Sequence, residues 1–345
     1  MERSLPLDER KQQILKAVVS DYTETGVPVG SHALAAHLTS WSSATIRNEL
    51  ASLVDVGYLL QPHTSAGRVP SDLGYRYYVD FLMEEEQLPL AVRRLMEPLL
   101  RNLPLDIEGV LERAASALAL AADALSLVTG PRSHAAALKH LDLVSLDADH
   151  ALLILVLDGN VIRQQTLQLG RDSDQRELSL LAGQLNGELG GLDGSAIGEL
   201  RSTDDTHPLR TEIVAAIVLF MRSVEKRQDM LIVHDGVRNL LHQPEFGDIE
   251  RLREVLEVLE EERILGEVLA ALEQDRGVHI MIGRETGVEQ LSQCSMVLTS
   301  YRAGSTGRSG TIGVLGPTRM RYSQVAPRVR FVALQVGQAL SRVMA

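Results

Sequence analysis

The chain has 345 residues, of which 45% are hydrophobic and 23% charged, and its formal net charge is −12. This composition is typical of a folded protein with two or three domains, and the negative charge argues against bulk, non-specific binding of nucleic acid. Aromatic residues make up only 3% and cysteine occurs once, which argues against stacking platforms for single strands, intramolecular disulfides and zinc sites.

The N-terminal segment, residues 1–83, has the pattern of a winged helix-turn-helix. The predicted elements are a helix over 8–24, a short helix over 31–38, a third helix over about 43–56 and a Pro-, Gly- and Ser-rich loop over 61–71 followed by an apolar return. Gly26 and Pro28 end the first helix, and Ser42 or Ser43 caps the third one. Helix, short helix, tight turn, helix and hairpin follow each other in the order of that DNA-binding fold.

The rest of the chain predicts an α+β sensor-like region. The expected divisions are a linker over 84–105, a first part of the α+β domain over 106–199, an inserted dimerisation domain over 200–272 and a second part over 273–345. The expected elements are an Ala/Leu-rich helix over 107–127, a hairpin of strands 151–157 and 161–169 with its turn at 158–160, helices over 213–224 and 248–272, strands over 278–282, 296–301 and 311–315, and a helix from about Val325 to the end. We interpret Cys294 as a small core residue.

DNA recognition would depend on the N-terminal half of the third helix. On a helical wheel, Ile46, Leu50 and Leu53 share the face that packs inward, and the polar residues lie on the other side. The exposed candidates there are Ser42, Ser43, Thr45, Arg47 and Asn48. Arginine can grip guanine, asparagine can grip adenine, and serine or threonine can contact phosphate or a base edge.

The wing supplies the other candidates. The expected DNA contacts are His63, Thr64, Arg68 at an exposed tip beside Gly67, and Arg76, with the two arginines on the DNA backbone. A plain surface hairpin remains the alternative interpretation of this loop. Residues 1–80 carry seven Lys and Arg against nine Asp and Glu, so a DNA-binding module must focus its positive charge on one face.

The location in the cell follows from what the sequence lacks. The first residues have no apolar signal core, and the longest apolar runs, such as 151–157 and 213–221, are too short to span a bilayer. We therefore expect a cytoplasmic protein that is not attached to a membrane.

The motifs of the chain resemble the HrcA family of heat-shock repressors. In the first domain they are PVGS (28–31), SSATIRNEL (42–50), GYL (57–59), QPHTSAGRVP (61–70) and GYRYYV (74–79). The later ones are GVRNL (236–240) with PEF (244–246), VHIMIG (278–283), and GPTRM (316–320) with Tyr322. Because they occur in the family's order, the resemblance covers essentially the whole chain. It departs at Arg238, at Arg321 and at the run 284–286.

The resemblance implies a specific biology. The family's fold is a winged helix-turn-helix followed by a GAF-like α+β domain that contains a dimerising insertion. Its members act as homodimers on double-stranded DNA, at an inverted repeat called CIRCE upstream of chaperone operons, and repress transcription there. The GroEL chaperonin maintains their active form, so heat shock, which occupies GroEL, releases the genes. A two-fold dimer on an inverted repeat is also what helix-turn-helix geometry leads one to expect.

Other classes of function fit the sequence less well. We find no catalytic motif, no cofactor-binding motif and no metal site, and the Gly-rich stretch 304–310 lacks the Gly-Lys-Ser/Thr ending of a phosphate loop, which favours a turn between strands. We therefore expect no enzyme and no cofactor. A winged-helix regulator that senses a small molecule through a GAF-like domain is the main alternative, and a winged helix that binds only protein is the other.

Overall fold

A computed structural model describes residues 7–63, 66–101, 103–131, 137–157, 161–200, 207–227, 231–270, 277–304 and 308–344. The chain forms two compact units. The first combines Met1–Arg132 with Met230–Ala345, and the second is Ser133–Asp229. This division differs from the expected insertion over 200–272, because the segment inserted into the first unit starts and ends earlier in the chain.

The N-terminal module, residues 7–83, has the expected order of elements. Its elements are α1 (Glu9–Thr25), α2 (Ser31–His37), α3 (Ser43–Asp55), β1 (Leu59–Leu60), β2 (Val69–Pro70) and α4 (Asp72–Tyr77), which continues as a π-helical turn, Tyr78–Leu82. Asp8 caps α1 and Ser71 caps α4 through side-chain oxygens. The strands β1 and β2 pair antiparallel. Apolar residues of the three helices, such as Leu15, Leu34 and Leu53, are fully buried in the core that holds the module together.

Two helices connect the N-terminal module to the sheet of the first unit. Residues 84–89 precede α5 (Leu90–Arg101), and α6 (Ile107–Ala122) is followed directly by β3 (Leu125–Thr129). The expected helix over 107–127 therefore wrongly included the first residues of β3. Asp123 lies between the two elements in the left-handed region, with φ 52°, which ends α6 and turns the chain into the sheet.

The second unit is a three-stranded antiparallel sheet packed against helices. Its elements are β4 (Leu138–Ser145), β5 (His150–Leu157), β6 (Val161–Gln168), α7 (Gln175–Leu189), α8 (Gly194–Leu200) and α9 (Pro208–Arg227). Ala151, Leu153, Leu155 and Leu157 alternate into its apolar core, as the sequence pattern of β5 predicts. The turn expected at 158–160 lies outside the described residues, and β4 was missed by the sequence analysis.

The remaining elements complete the first unit. They are β7 (Ile232–Asp235), α10 (Val237–Leu241), α11 (Ile249–Glu260), α12 (Glu262–Ala270), β8 (Val278–Ile282), β9 (Cys294–Ala303), β10 (Arg308–Pro317) and α13 (Tyr322–Val343). The five-stranded sheet has the order β7-β3-β10-β9-β8, and all its pairs are antiparallel. One sheet face packs on α6 and α13 and the other on α11 and α12, which makes the fold mixed α+β. Of the Gly-rich stretch 304–310, residues 305–307 lie outside the described part.

Cys294 begins β9 as a buried core residue, as the sequence indicated. Burial raises the pKa of its thiol to about 12, so the reactive thiolate is disfavoured. No helix within the described ranges is long and apolar enough to cross a membrane.

Candidate nucleic-acid interface

The N-terminus of α3 is built by a network of short hydroxyl side chains. The Ser42 Oγ accepts a hydrogen bond from the Thr45 backbone N–H at 3.1 Å and lies 2.9 Å from the Thr45 Oγ1. The Ser43 hydroxyl donates to the Ser31 Oγ at 3.2 Å, which joins the first turn of α3 to the first turn of α2. These three candidates thus fix the start of the helix, while Ser42 stays exposed.

The next turn of α3 separates an apolar face from a polar one. Ile46 and Leu50 are buried, and Arg47 and Asn48 are exposed. Within the described ranges, no hydrogen bond or ion pair engages the side chain of Arg47 or Asn48. Together with Ser42 and Thr45 they make up what we call the recognition face. Among the described residues, the donors and acceptors of the Arg47 and Asn48 side chains are free for base edges and phosphates.

Glu49, between the two faces, anchors α3 to α1. Its carboxylate lies 3.0 Å from the Lys11 Nζ and 3.4 Å from an Arg10 guanidinium nitrogen. Hydrogen bonds with Asp8 and Glu49 hold the pKa of Lys11 above its ordinary value. Two of the module's basic residues are thereby engaged with acids, which leaves Arg47 as a free positive charge on α3. The sequence analysis did not identify Lys11, Glu49 or Ser31 as residues that support α3.

The loop between β1 and β2 turns back onto the segment before α2. The backbone of Arg68 exchanges two hydrogen bonds with that of Val29, at 2.8 and 2.9 Å. A Cβ on Gly67 would lie 2.5 Å from the Pro28 carbonyl oxygen, so only glycine fits this close approach. His63 is exposed, as expected. Thr64 lies outside the described residues.

Arg68 does not occupy an exposed tip, which corrects the expectation from the sequence. Its side chain is half-buried, and its guanidinium donates to the Ala66 carbonyl at 3.2 Å. Its Nε is buried and has no hydrogen-bond partner among the described residues. The bridge to Val29 draws the residue inward, so any contact with DNA must come from the outer edge of the guanidinium.

Arg76 is the second correction, because its side chain is turned toward the sheet of the first unit. The Nε donates to Glu285 at 2.9 Å, the Nη1 donates to Asp80 at 3.1 Å, and the Nη2 donates to both Glu285 and the Ile280 carbonyl. Burial disfavours the charged guanidinium, yet these acidic partners outweigh it and raise the pKa of Arg76. We therefore remove Arg76 from the set of DNA-contacting residues.

Comparison with known proteins supports a common origin over the full chain. Residues 108–326 match the family model described as the HrcA protein C-terminal domain. The chain is 36% identical to the heat-inducible transcription repressor HrcA of Herpetosiphon aurantiacus over 335 residues, covering 95% of this chain and 94% of the relative. It is 36% identical to the HrcA of Thermomicrobium roseum over 341 residues, covering 99% and 97%.

One solved structure is similar in fold. It is a crystal structure of a hypothetical protein at 2.2 Å resolution, with a TM-score of 0.61 and 23% sequence identity. The similarity covers 98% of this chain and 100% of that one.

Proposed function

Because the chain belongs to the HrcA family of heat-inducible transcription repressors, we propose that it represses chaperone operons by binding the inverted-repeat CIRCE operator as a homodimer, with its activity maintained by GroEL. Repressors of this family bind DNA and are not enzymes. The finer parts of the proposal concern the operator, the dimer and the chaperonin.

The recognition face is the observation that supports operator binding best. A helix whose N-terminal half presents a free arginine and a free asparagine, with its other face buried, has the form of a recognition helix in a winged helix-turn-helix. We propose that Arg47 and Asn48 read bases in the major groove. Ser42, Ser43 and Thr45 would hold the helix N-terminus against a phosphate, and His63, Thr64 and Arg68 would contact the neighbouring backbone.

The second unit provides the best surface for the homodimer. Leu152, Ile154 and Val156 of β5 point away from the apolar core of that unit and are only half-buried. On the neighbouring β6, Ile162 is 63% exposed and pairs with Val156. An apolar stripe on a sheet face is a surface that a second copy of the chain can cover. We place the dimer contact here and not at 200–272, since that range spans parts of both units.

The chaperonin part of the proposal is based on the sequence motifs shared with the family. We interpret the five-stranded part of the first unit as the GAF-like domain and expect the complete protein to work in the cytoplasm, where GroEL is present. When heat shock occupies GroEL with unfolded chains, less of the repressor would be kept active and the operons would be released.

A gel-shift assay tests the operator and chaperonin parts together. The purified protein is titrated onto a CIRCE duplex and a scrambled duplex at about 150 mM salt, where surface charges are screened as in the cell. We expect tight binding to CIRCE alone, and a larger active fraction when GroEL is added. Equal binding to both duplexes under both conditions would refute the proposed function.

The dimer surface is tested separately. Ile154→Asp should give a monomer in light scattering, because a charge on the apolar stripe must be desolvated in the interface. Leu180→Asp, at an exposed leucine of the same unit, is the control and should stay dimeric. A dimer that persists in Ile154→Asp would move the contact to another surface.

A further inference from the structure

The motifs in the later part of the sequence lie close to the N-terminal module, and the proposed function does not explain this shared position. Residues from the end of VHIMIG (278–283) and from GPTRM (316–320) with Tyr322 contact the N-terminal module. Glu245 of PEF (244–246) binds Arg319, one of these contacting residues. The contacts reach two separated points of that module, the C-terminal end of α1 and the helix α4. We call these two groups of contacts the first and the second clasp.

The first clasp is formed by Arg319 at the end of α1. Its guanidinium is held by the Glu245 carboxylate and by the Gln243 Oε1, at 3.0 Å from the latter. The Nη1 donates to the Thr23 carbonyl in the last turn of α1 at 3.3 Å. The last turn of α1 contains no basic residue of its own, so Arg319 supplies the cation that favours a helix C-terminus. Only 14% of the Arg319 side chain and 23% of Glu245 are exposed, so solvent screens this ion pair little.

The second clasp is formed by α4 and the end of β8. Arg76 is bound by Glu285 and the Ile280 carbonyl, as described above. Four residues earlier, the Asp72 carboxylate packs directly on Gly283, whose φ of 55° and missing Cβ leave room for it. The Arg284 backbone N–H points toward the same carboxylate at 3.4 Å. A side chain on residue 283 would be strained by this φ and would displace the Asp72 carboxylate.

A buried aromatic pair lies on the module surface that faces the sheet of the first unit. The rings of Tyr75 and Tyr322 meet edge to face with their centroids 6.0 Å apart. The Tyr322 hydroxyl donates to the Thr318 carbonyl at 2.5 Å and lies 2.8 Å from the Ser295 Oγ, which fixes its ring. Two polar clasps and this apolar contact constrain both the tilt and the rotation of the module.

We propose that the two clasps are positioning elements that set the direction of the recognition face, and thereby the spacing and relative orientation of the two operator half-sites that a dimer accepts. This inference rests on the proposed function. Two recognition helices can enter successive major grooves only if they are held about one helical turn apart. A module fixed to the first unit keeps one orientation relative to that unit, whereas a module on a loose tether would not. Arg319, Glu245, Arg76 and Glu285 would therefore act on specificity without touching DNA.

The test compares operators that differ only in the spacer between the half-sites. Two added base pairs rotate one half-site by about 70° relative to the other, since a turn of DNA contains about 10.5 base pairs. We expect the wild-type protein to bind the altered operator at least about 100-fold more weakly, because simultaneous engagement of two sites contributes 10²–10⁴ in avidity. In the variants Arg319→Gln and Glu285→Gln, the loss of affinity caused by the altered spacer should be smaller than in the wild type by about 10-fold or more. Affinity for a single half-site should stay within about 2-fold of wild type, since neither residue contacts DNA.

The variants are chosen so that a change in the orientation of the module can be distinguished from a change in net charge and from a loss of folding. Arg319→Gln and Glu285→Gln change the net charge in opposite directions, so a common loss of spacing preference cannot be a long-range electrostatic effect. Arg253→Gln removes an arginine from an exposed pair with Glu257 on α11 and should behave as wild type. Thermal unfolding is followed for each variant, and the nearly isosteric Glu285→Gln decides the matter if Arg319→Gln fails to fold.

The possible outcomes are distinct. If both clasp variants keep the full spacing penalty of the wild type, the inference is wrong, even though operator binding stands. If the wild-type protein does not prefer CIRCE over scrambled DNA, the proposed function fails, and this inference fails with it.

Discussion

Two faces of the N-terminal module treat their arginines in opposite ways. Arg47, on the recognition face, is exposed and has no partner within the described residues, whereas Arg76, on the face toward the sheet, is held by two carboxylates and a backbone carbonyl. A free guanidinium keeps its donors for an external ligand, and a paired one has already used them. The contrast shows that the role of an arginine in such a module depends on whether the rest of the chain supplies carboxylate or carbonyl partners for its guanidinium.

Loss of Arg47 should have the largest effect on operator binding. It tests most directly whether the free arginine of this module contacts DNA. Arg47→Ala is expected to weaken operator binding by about 1–3 kcal/mol, because a bidentate contact with one base is lost. Affinity for scrambled DNA should fall much less. Fluorescence anisotropy with both duplexes measures the two affinities. Undiminished discrimination between operator and scrambled DNA would show that Arg47 does not read a base.

Loss of Arg76 should lower stability without weakening the contact of one module with its half-site. Arg76→Gln is expected to lower the free energy of unfolding by about 1 kcal/mol, a value reduced because both partners are partly exposed to solvent. Urea unfolding followed by circular dichroism measures it. The affinity for a single half-site should not change. A large loss of half-site affinity in a fully folded variant would return Arg76 to the DNA surface and break the contrast.

Arg68 is intermediate between the free Arg47 and the paired Arg76. Its loss should change the affinity for DNA less than the loss of Arg47. Arg68→Ala is expected to weaken binding to operator and scrambled DNA alike, by less than about 1 kcal/mol, with the slope of log K against log salt reduced by about one. Titrations at several salt concentrations measure the slope. An unchanged slope would mean that the half-buried Arg68 guanidinium contacts no phosphate and serves only the structure of the loop where Arg68 pairs with Val29.

The smallest effect concerns an ion pair that is exposed on the second unit. Hydrogen bonds with Asp147 and then Asp149 raise the pKa of His150 above its ordinary value. Because the folded state favours the protonated ring, the pair contributes stability below the ordinary pKa and loses it as the pH rises through the raised one. An NMR titration of the imidazole should show the raised value in wild type and a value closer to the ordinary one in Asp147→Asn. An identical titration in both would exclude Asp147 as the cause.

The sequence predicted local features well. The helices of the N-terminal module and the inward face of α3 follow from apolar spacing and caps, which act within a few residues. The exposure of Arg47 and Asn48 could be predicted for the same reason, since a helical wheel separates their side from Ile46.

Long-range pairing was not predictable in the same way. The partner of Arg76 is 209 residues away along the chain, and the Thr23 carbonyl bound by Arg319 is 296 residues away. Nothing in the local pattern distinguishes such an arginine from one that faces solvent. The limits of the second unit, Ser133–Asp229, could not be read from the pattern for a related reason. The apolar stripes of α9 and α11 indicate that each helix packs against something, but not that the two helices belong to different units.

The interleaving of chain segments in the first unit has a consequence for how the protein is made. The N-terminal module leaves the ribosome before the residues that hold it, which lie between Glu245 and Tyr322. The helix α3 can thus be complete before the contacts that fix its module are made. Contacts so distant in sequence also form slowly, because a long loop must close before they yield any energy. A nascent chain can therefore fold α3, the proposed recognition helix, long before that helix is held in the geometry that an operator would require.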